Sequence, residues 1–162
     1  MELSHRKMFI DDIQKVLKLK LRKEDQEELR AASGLTPEAA LQVAVLHSNE
    51  VSVLLLDGRI VGLFGLAAAP GDPHCAAPWM LSGDELFSGP GLRTLFSRGS
   101  RAVVQQMCAK YYRLENYVSK ENKIAIRWLG WLGFEFDSAP VTLADPKVEF
   151  LRFWKGVSPC AM

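Results

Sequence analysis

A chain of 162 residues, 48% of them hydrophobic and 24% charged, is long enough to form one domain with a sizeable core. Its net charge of +1 leaves no excess positive charge to draw it onto nucleic acid or an anionic membrane. No uninterrupted apolar run reaches the roughly 20 residues of a bilayer span, and the start MELSHRKMFIDD has no long apolar stretch, so the chain is expected in the cytosol or packaged from it.

Phe9, Ile13, Val16, Leu17 and Leu21 recur at helical spacing, and residues 24–32 continue in strong helix formers, which predicts two short helices over the first thirty residues. Lys15, Lys18, Lys20, Arg22 and Lys23 form a basic cluster that could meet phosphate. With seven acidic residues against eight basic ones in the same thirty, a solvated helix face is the expectation. After Gly34, Thr36 and Pro37 supply an N-cap and a first-turn proline for a third helix. It repeats Ala39, Val43, Leu46 and His47 on one side, so residues 1–48 are expected as N-terminal helices.

Two β-rich runs, 50–56 and 60–68, flank Asp57-Gly58, a dipeptide that accepts the positive φ angles of a tight hairpin turn. Gly62 and Gly65 inside the second run allow close backbone approach or a bulge. Proline and glycine predict a loop over 69–78, and Pro78-Trp79-Met80-Leu81 predicts a short third strand. From 92 to 111, Leu92, Leu95, Phe96, Val103, Met107 and Tyr111 keep helical spacing opposite Arg93, Arg98, Arg101, Gln105 and Lys110, which predicts a long helix. Leu114, Asn116 and Val118 alternate with Glu115, Tyr117 and Ser119, and a strand is expected over 113–118. Asn122 then stands as an N-cap before Ala125, Trp128, Leu129 and Leu132, giving a helix over 123–132 closed by Gly133. Strands are expected at 134–136 and 147–155, side by side. Together these make a mixed α/β single domain over 1–162, with a mostly antiparallel twisted sheet and helices on both faces.

Asn122, Ala125, Leu132, Gly133 and Phe134 resemble the closing N-x-x-A…G-F segment of the GNAT superfamily of N-acetyltransferases, and the order of elements is similar over nearly the whole chain. More narrowly, APWMLSGDEL, the long helix after it and ENYV…N…IRWL..LGF are similar to small GNAT-like internal virion proteins of tailed bacteriophages. The resemblance implies acetyl-CoA as cofactor, held by a strand, loop and helix entry that here comprise Met80, Leu81, Ser82, Gly89 and Gly91, with Asn122 across the cleft. It also implies a tyrosine acid seven residues after the asparagine, a position occupied by Leu129, which cannot donate a proton. Tyr117 and Glu115, on one side of the same strand, are the substitute acid and base.

The phosphate loop departs from the family pattern. Asp84 and Glu85 place two carboxylates where phosphates would sit, and Pro90 lacks the N–H an anion cradle uses. Two readings follow from the resemblance: a virion-associated structural component that contacts other virion proteins, found in host cytoplasm during assembly and then in the virion, or an acetyl-CoA-dependent N-acetyltransferase. His5, His47 and the adjacent His74-Cys75 have no ligand spacing, so no metal is assigned. Cys75, Cys108 and Cys160 form no CxxC pair and are expected as reduced thiols. Trp128 and Trp131, three apart, are expected in the core or, for one of them, at an interface.

Overall fold

The computed structural model describes residues 1–69 and 71–156; Pro70 and Cys160 lie outside them. In chain order the elements are β1 (Leu3–Lys7), a 3₁₀ turn (Ile10–Asp12), α1 (Ile13–Leu17), α2 (Lys23–Ser33), α3 (Pro37–Leu46), β2 (Ser48–Leu56), β3 (Arg59–Ala69) and β4 (Asp72–Ser82). A second 3₁₀ turn (Asp84–Phe87) leads to α4 (Pro90–Lys110), β5 (Arg113–Ser119), α5 (Lys123–Trp131), β6 (Glu135–Phe136), β7 (Val141–Thr142) and β8 (Glu149–Gly156). The sheet runs β1-β2-β3-β4-β5-β8-β6, with β7 also on β8, and every pairing is antiparallel except β4 with β5.

Both faces are covered. Val53, Leu63 and Leu81, aligned across β2, β3 and β4, pack with Val16, Leu21 and Leu41 from the N-terminal segment. On the other face Leu54 and Leu56 pack with Leu86, Leu92 and Phe96 at the start of α4. Leu114 and Val118 of β5 and Phe153 of β8 pack with Val104 and with Leu129 and Leu132 around α5.

The hairpin forms as its turn chemistry requires, Asp57 at φ 48° and Gly58 at φ 81°. Gly62 and Gly65 are places of close approach: a Cβ on Gly65 would lie 2.7 Å from both the Glu50 carbonyl and the Trp79 ring, so glycine is what admits that indole. Asn122 Oδ1 accepts from the Ala125 N–H at 3.3 Å, and Gly133 is left-handed at φ 92°, which closes α5 at both ends as expected.

Four expectations are corrected. The first residues are a strand, not part of a helix: Leu3 to Lys7 pair with Leu56 to Ser52 along the outer edge of β2, whose open backbone groups outweigh local propensity. Arg6 Nη1 then meets Asp12 Oδ2 at 2.7 Å and the Phe9 N–H donates to the same oxygen at 2.8 Å, turning the chain into α1. Residues 72–78, expected as a loop, belong to β4, because β3 continues far enough to pair with them. Arg22 is buried rather than part of a solvated face: its guanidinium lies over the Phe87 ring at 4.5 Å and beside Glu24 and Asp25. On α3 the buried side is Pro37, Ala40 and Leu41, while Leu46 is 81% exposed.

Candidate functional site

β4 and β5 are joined at one end only. They pair at Cys75 with Arg113 and Ala76 with Leu114, reinforced by the Tyr112 N–H donating to the His74 carbonyl at 2.8 Å. Beyond that point β4 stays on β3 as far as Ser82 and β5 stays on β8 as far as Ser119, and the two no longer pair with each other. Pro78 is one local cause. In an extended strand a residue's N–H and C=O point to the same side, and the Pro78 carbonyl accepts from Asn116 Nδ2 on β5 at 2.9 Å. The N–H that proline lacks is therefore missing on the side facing β5.

A cavity of about 350 Å³ occupies the opening. Its wall on the α4 and α5 side is apolar, with Phe64, Met80, Phe96, Val103 and Trp128. Phe96 and Trp128 stack at 5.3 Å. The Trp79 indole N–H donates to Ser48 Oγ at 2.7 Å and that of Trp154 to Asp137 Oδ1 at 3.1 Å. The indole N–H of Trp128 is buried with no acceptor, alone in this among side-chain nitrogens and oxygens of the described residues. An unpaired buried donor costs about 1–3 kcal/mol.

The opposite wall carries two carboxylates. Asp25 Oδ2 accepts from the buried Ser82 N–H at 3.0 Å, at the end of β4. Glu28 Oε1 accepts from the Ser119 N–H at 2.9 Å, at the end of β5, and from Asn122 Nδ2 at 3.0 Å. Successive positions on one side of α2 thus span the open strand ends. Burial pushes the Asp25 carboxyl up to about 6, against the Ser82 N–H and Arg22, which favour its charged form. Burial raises Glu28 as well, against its two hydrogen bonds. Carboxyls held above their ordinary range are suited to take and return a proton near neutral pH.

Met80, Leu81, Ser82, Tyr117 and Asn122 all line this cavity, with Asn122 buried between the α5 cap and Glu28. Tyr117 is 39% exposed. Glu115 lies elsewhere: it accepts from Arg113 Nε at 2.9 Å and sits 3.7 Å from Arg152, while Arg113 lies over the Trp154 ring at 4.1 Å. Gly89 and Gly91 flank the start of α4 outside the cavity lining. Between β4 and α4 the chain makes a 3₁₀ turn whose Leu86 is fully buried, while Glu85 pairs with Arg59 at 2.9 Å. Leu129 is buried in the core. Asp25 and Glu28 were legible in principle: with Leu29 and Ala32 they fall at offsets of zero, three, four and seven, so carboxylates stand in what is otherwise an apolar helical stripe.

No family model matches the sequence, and no curated protein matches it. Solved structures do. A ribosomal-protein-S5-alanine acetyltransferase from Vibrio fischeri superposes with a TM-score of 0.66 at 15% identity, covering 96% of this chain and 93% of that one. Spermidine N-acetyltransferase from Vibrio cholerae, in complex with CoA and spermine, gives 0.63 at 16% identity over 94% of each chain. An aminoglycoside acetyltransferase in complex with coenzyme A gives 0.64 at 15% identity, covering 96% of this chain and 95% of that one. The chain has the GNAT fold. No group of three or more His, Cys, Asp or Glu side chains suited to a metal occurs among the described residues.

Proposed function

We propose that this protein binds a coenzyme A thioester where β4 and β5 part and transfers its acyl group to an amine. The observation that carries this reading is the cavity at the parting of β4 and β5, apolar on the α4 and α5 side and bordered by Asp25 and Glu28 on the other. The thioester arm is proposed to lie there, with Phe96, Met80 and Phe64 excluding water. The donor supplies an acyl group already activated as a thioester. The chain supplies the proton traffic. Asp25 or Glu28 takes a proton as the amine nitrogen forms its bond to the acyl carbon, the carbon–sulfur bond breaks, and a proton is returned to the departing sulfur, so that amide and free thiol leave with no net change. Tyr117 lines the cavity and is the residue assigned here to deliver that last proton. Acetyl-CoA titration by calorimetry, followed by acyl transfer to a panel of amines, tests the reading: binding with turnover that falls in Glu28→Gln and Asp25→Asn supports it, and absence of binding at millimolar thioester overturns it.

A second reading is favoured by the segment between β4 and α4, where Leu86 fills the core and Asp84 and Glu85 replace a phosphate cradle. In it the chain is a GNAT-fold component of a phage virion that works by contact with other virion proteins, without efficient transfer. Co-purification with virions and no thioester binding would favour it over the first.

A further inference from the structure

We infer that the acyl group this site takes is a medium-length hydrocarbon chain rather than acetyl, an inference that rests on the thioester reading above. The cavity does not stop at the parting of β4 and β5. It continues beneath α4 across the neighbouring strands, over Met80 of β4, Phe64 of β3, Leu54 of β2 and Leu3 of β1, under a roof of Phe96 and Val103. From β4 to β1 is three strand spacings, about 14 Å at roughly 4.8 Å each. The register makes this arm diagonal to the strands, Leu54 standing two residues along β2 from Ser52, the partner of Phe64, and Leu3 standing opposite Leu56. The arm is additional space, and its walls decide what can fill it.

The four floor residues and the two roof residues named are apolar; the polar neighbours are the exposed His5 of β1, whose ring meets Phe64 at 5.5 Å, and Ser100, which already spends its hydroxyl on the Phe96 carbonyl at 2.7 Å. Amides or hydroxyls placed between Met80 and Leu54, short of the His5 end, would lose water partners with few replacements. Hydrocarbon would not, and each buried methylene tightens binding by about fourfold. An acetyl group has no methylene to offer. Gly99, exposed on α4, also lines the cavity, and an added Cβ there would meet no atom within 4 Å.

Calorimetric titration of acetyl-CoA and octanoyl-CoA into the full chain tests this, with octanoyl-CoA expected to bind at least about tenfold more tightly. Val103→Phe, in the roof, should bring the two thioesters to within about threefold of each other, and Gly99→Phe, at a site where a Cβ meets no atom within 4 Å, should do the same from the preceding turn. Thermal unfolding checks that each variant folds, and the wild-type ratio stands as a test by itself if neither does. Equal affinities in the wild type, or a preference that survives both variants, overturn the inference while leaving the thioester reading in place. Failure of both thioesters to bind overturns the two together.

Discussion

The two ends of the β4–β5 pair are built on opposite principles. At the closed end two parallel backbone pairs sit over a fully buried Leu114, and the Tyr112 N–H adds a third link to β4. At the open end no backbone pair remains. The gap is crossed instead by side chains: Asn116 reaches the Pro78 carbonyl, and Asp25 and Glu28 of α2 hold the amides of Ser82 and Ser119. The closed end is held by burial and ladder hydrogen bonds. The open end is held by carboxylates whose charge burial disfavours, so it keeps its shape at a cost in stability and retains groups that can exchange protons.

Removing Leu114 should break the closed end. Leu114→Ala leaves a cavity in the core shared by β5, α4 and α5, and a loss of about 2–5 kcal/mol in denaturant unfolding is expected. At the open end Glu28→Gln or Asp25→Asn keeps the shape and removes the charge. Acyl transfer should fall by about 100-fold, while the midpoint of urea unfolding at pH 8 stays equal to wild type or rises. A comparable loss of stability and activity in both variants would mean that the carboxylates are structural alone.

The pH profile separates the same two kinds of acid. Asp25, at about 6 in the folded chain against 3.8 ordinarily, binds more protons when folded, so its contribution to stability is fully present below about pH 4 and is lost as pH rises through about 6. Glu28 acts in the same direction. Asp12 is the opposite case: hydrogen bonds from Arg6 and the Phe9 N–H bring it down to about 2, so its contribution is present above 3.8 and is lost as pH falls through about 2. Thermal unfolding should therefore show stability rising from pH 7 towards pH 4 and then falling, with the rise reduced in Asp25→Asn and the fall reduced in Asp12→Asn. The smallest effect is expected at Trp128. Trp128→Phe removes an unsatisfied N–H but also part of a ring stacked on Phe96, so the two effects oppose and denaturant unfolding of the protein without ligand should shift by no more than about 1 kcal/mol.

Local chemistry made much of the fold legible before any coordinates. Asp57-Gly58 marks the hairpin, Asn122 and Gly133 bracket α5, and apolar spacing from Leu92 to Met107 marks α4. The misses share a cause. β1 and the first half of β4 are strands because a neighbouring strand offers them backbone partners, and no property of LSHRK or DPHCAA announces that. In the candidate site the strand and cap residues Met80, Leu81, Ser82, Tyr117 and Asn122 were accessible through the resemblance to GNAT proteins, since the fold fixes where they lie. Asp25 and Glu28 were hidden by charge counting: over thirty residues their charges balance the lysines, and the helical spacing they share with Leu29 is the signal that they face inward. Pro78 was read as the start of a strand, whereas its missing N–H faces the opening between β4 and β5.

The most direct test of the central claim is a calorimetric titration of acetyl-CoA and octanoyl-CoA into the wild-type chain, paired with thermal unfolding. The account expects saturable binding at one site and stabilisation of about 2.7 kcal/mol at a hundred times the dissociation constant. No heat and no stabilisation with either thioester at millimolar concentration would contradict it and leave the opening between β4 and β5 as a structural feature of a protein that works by contact.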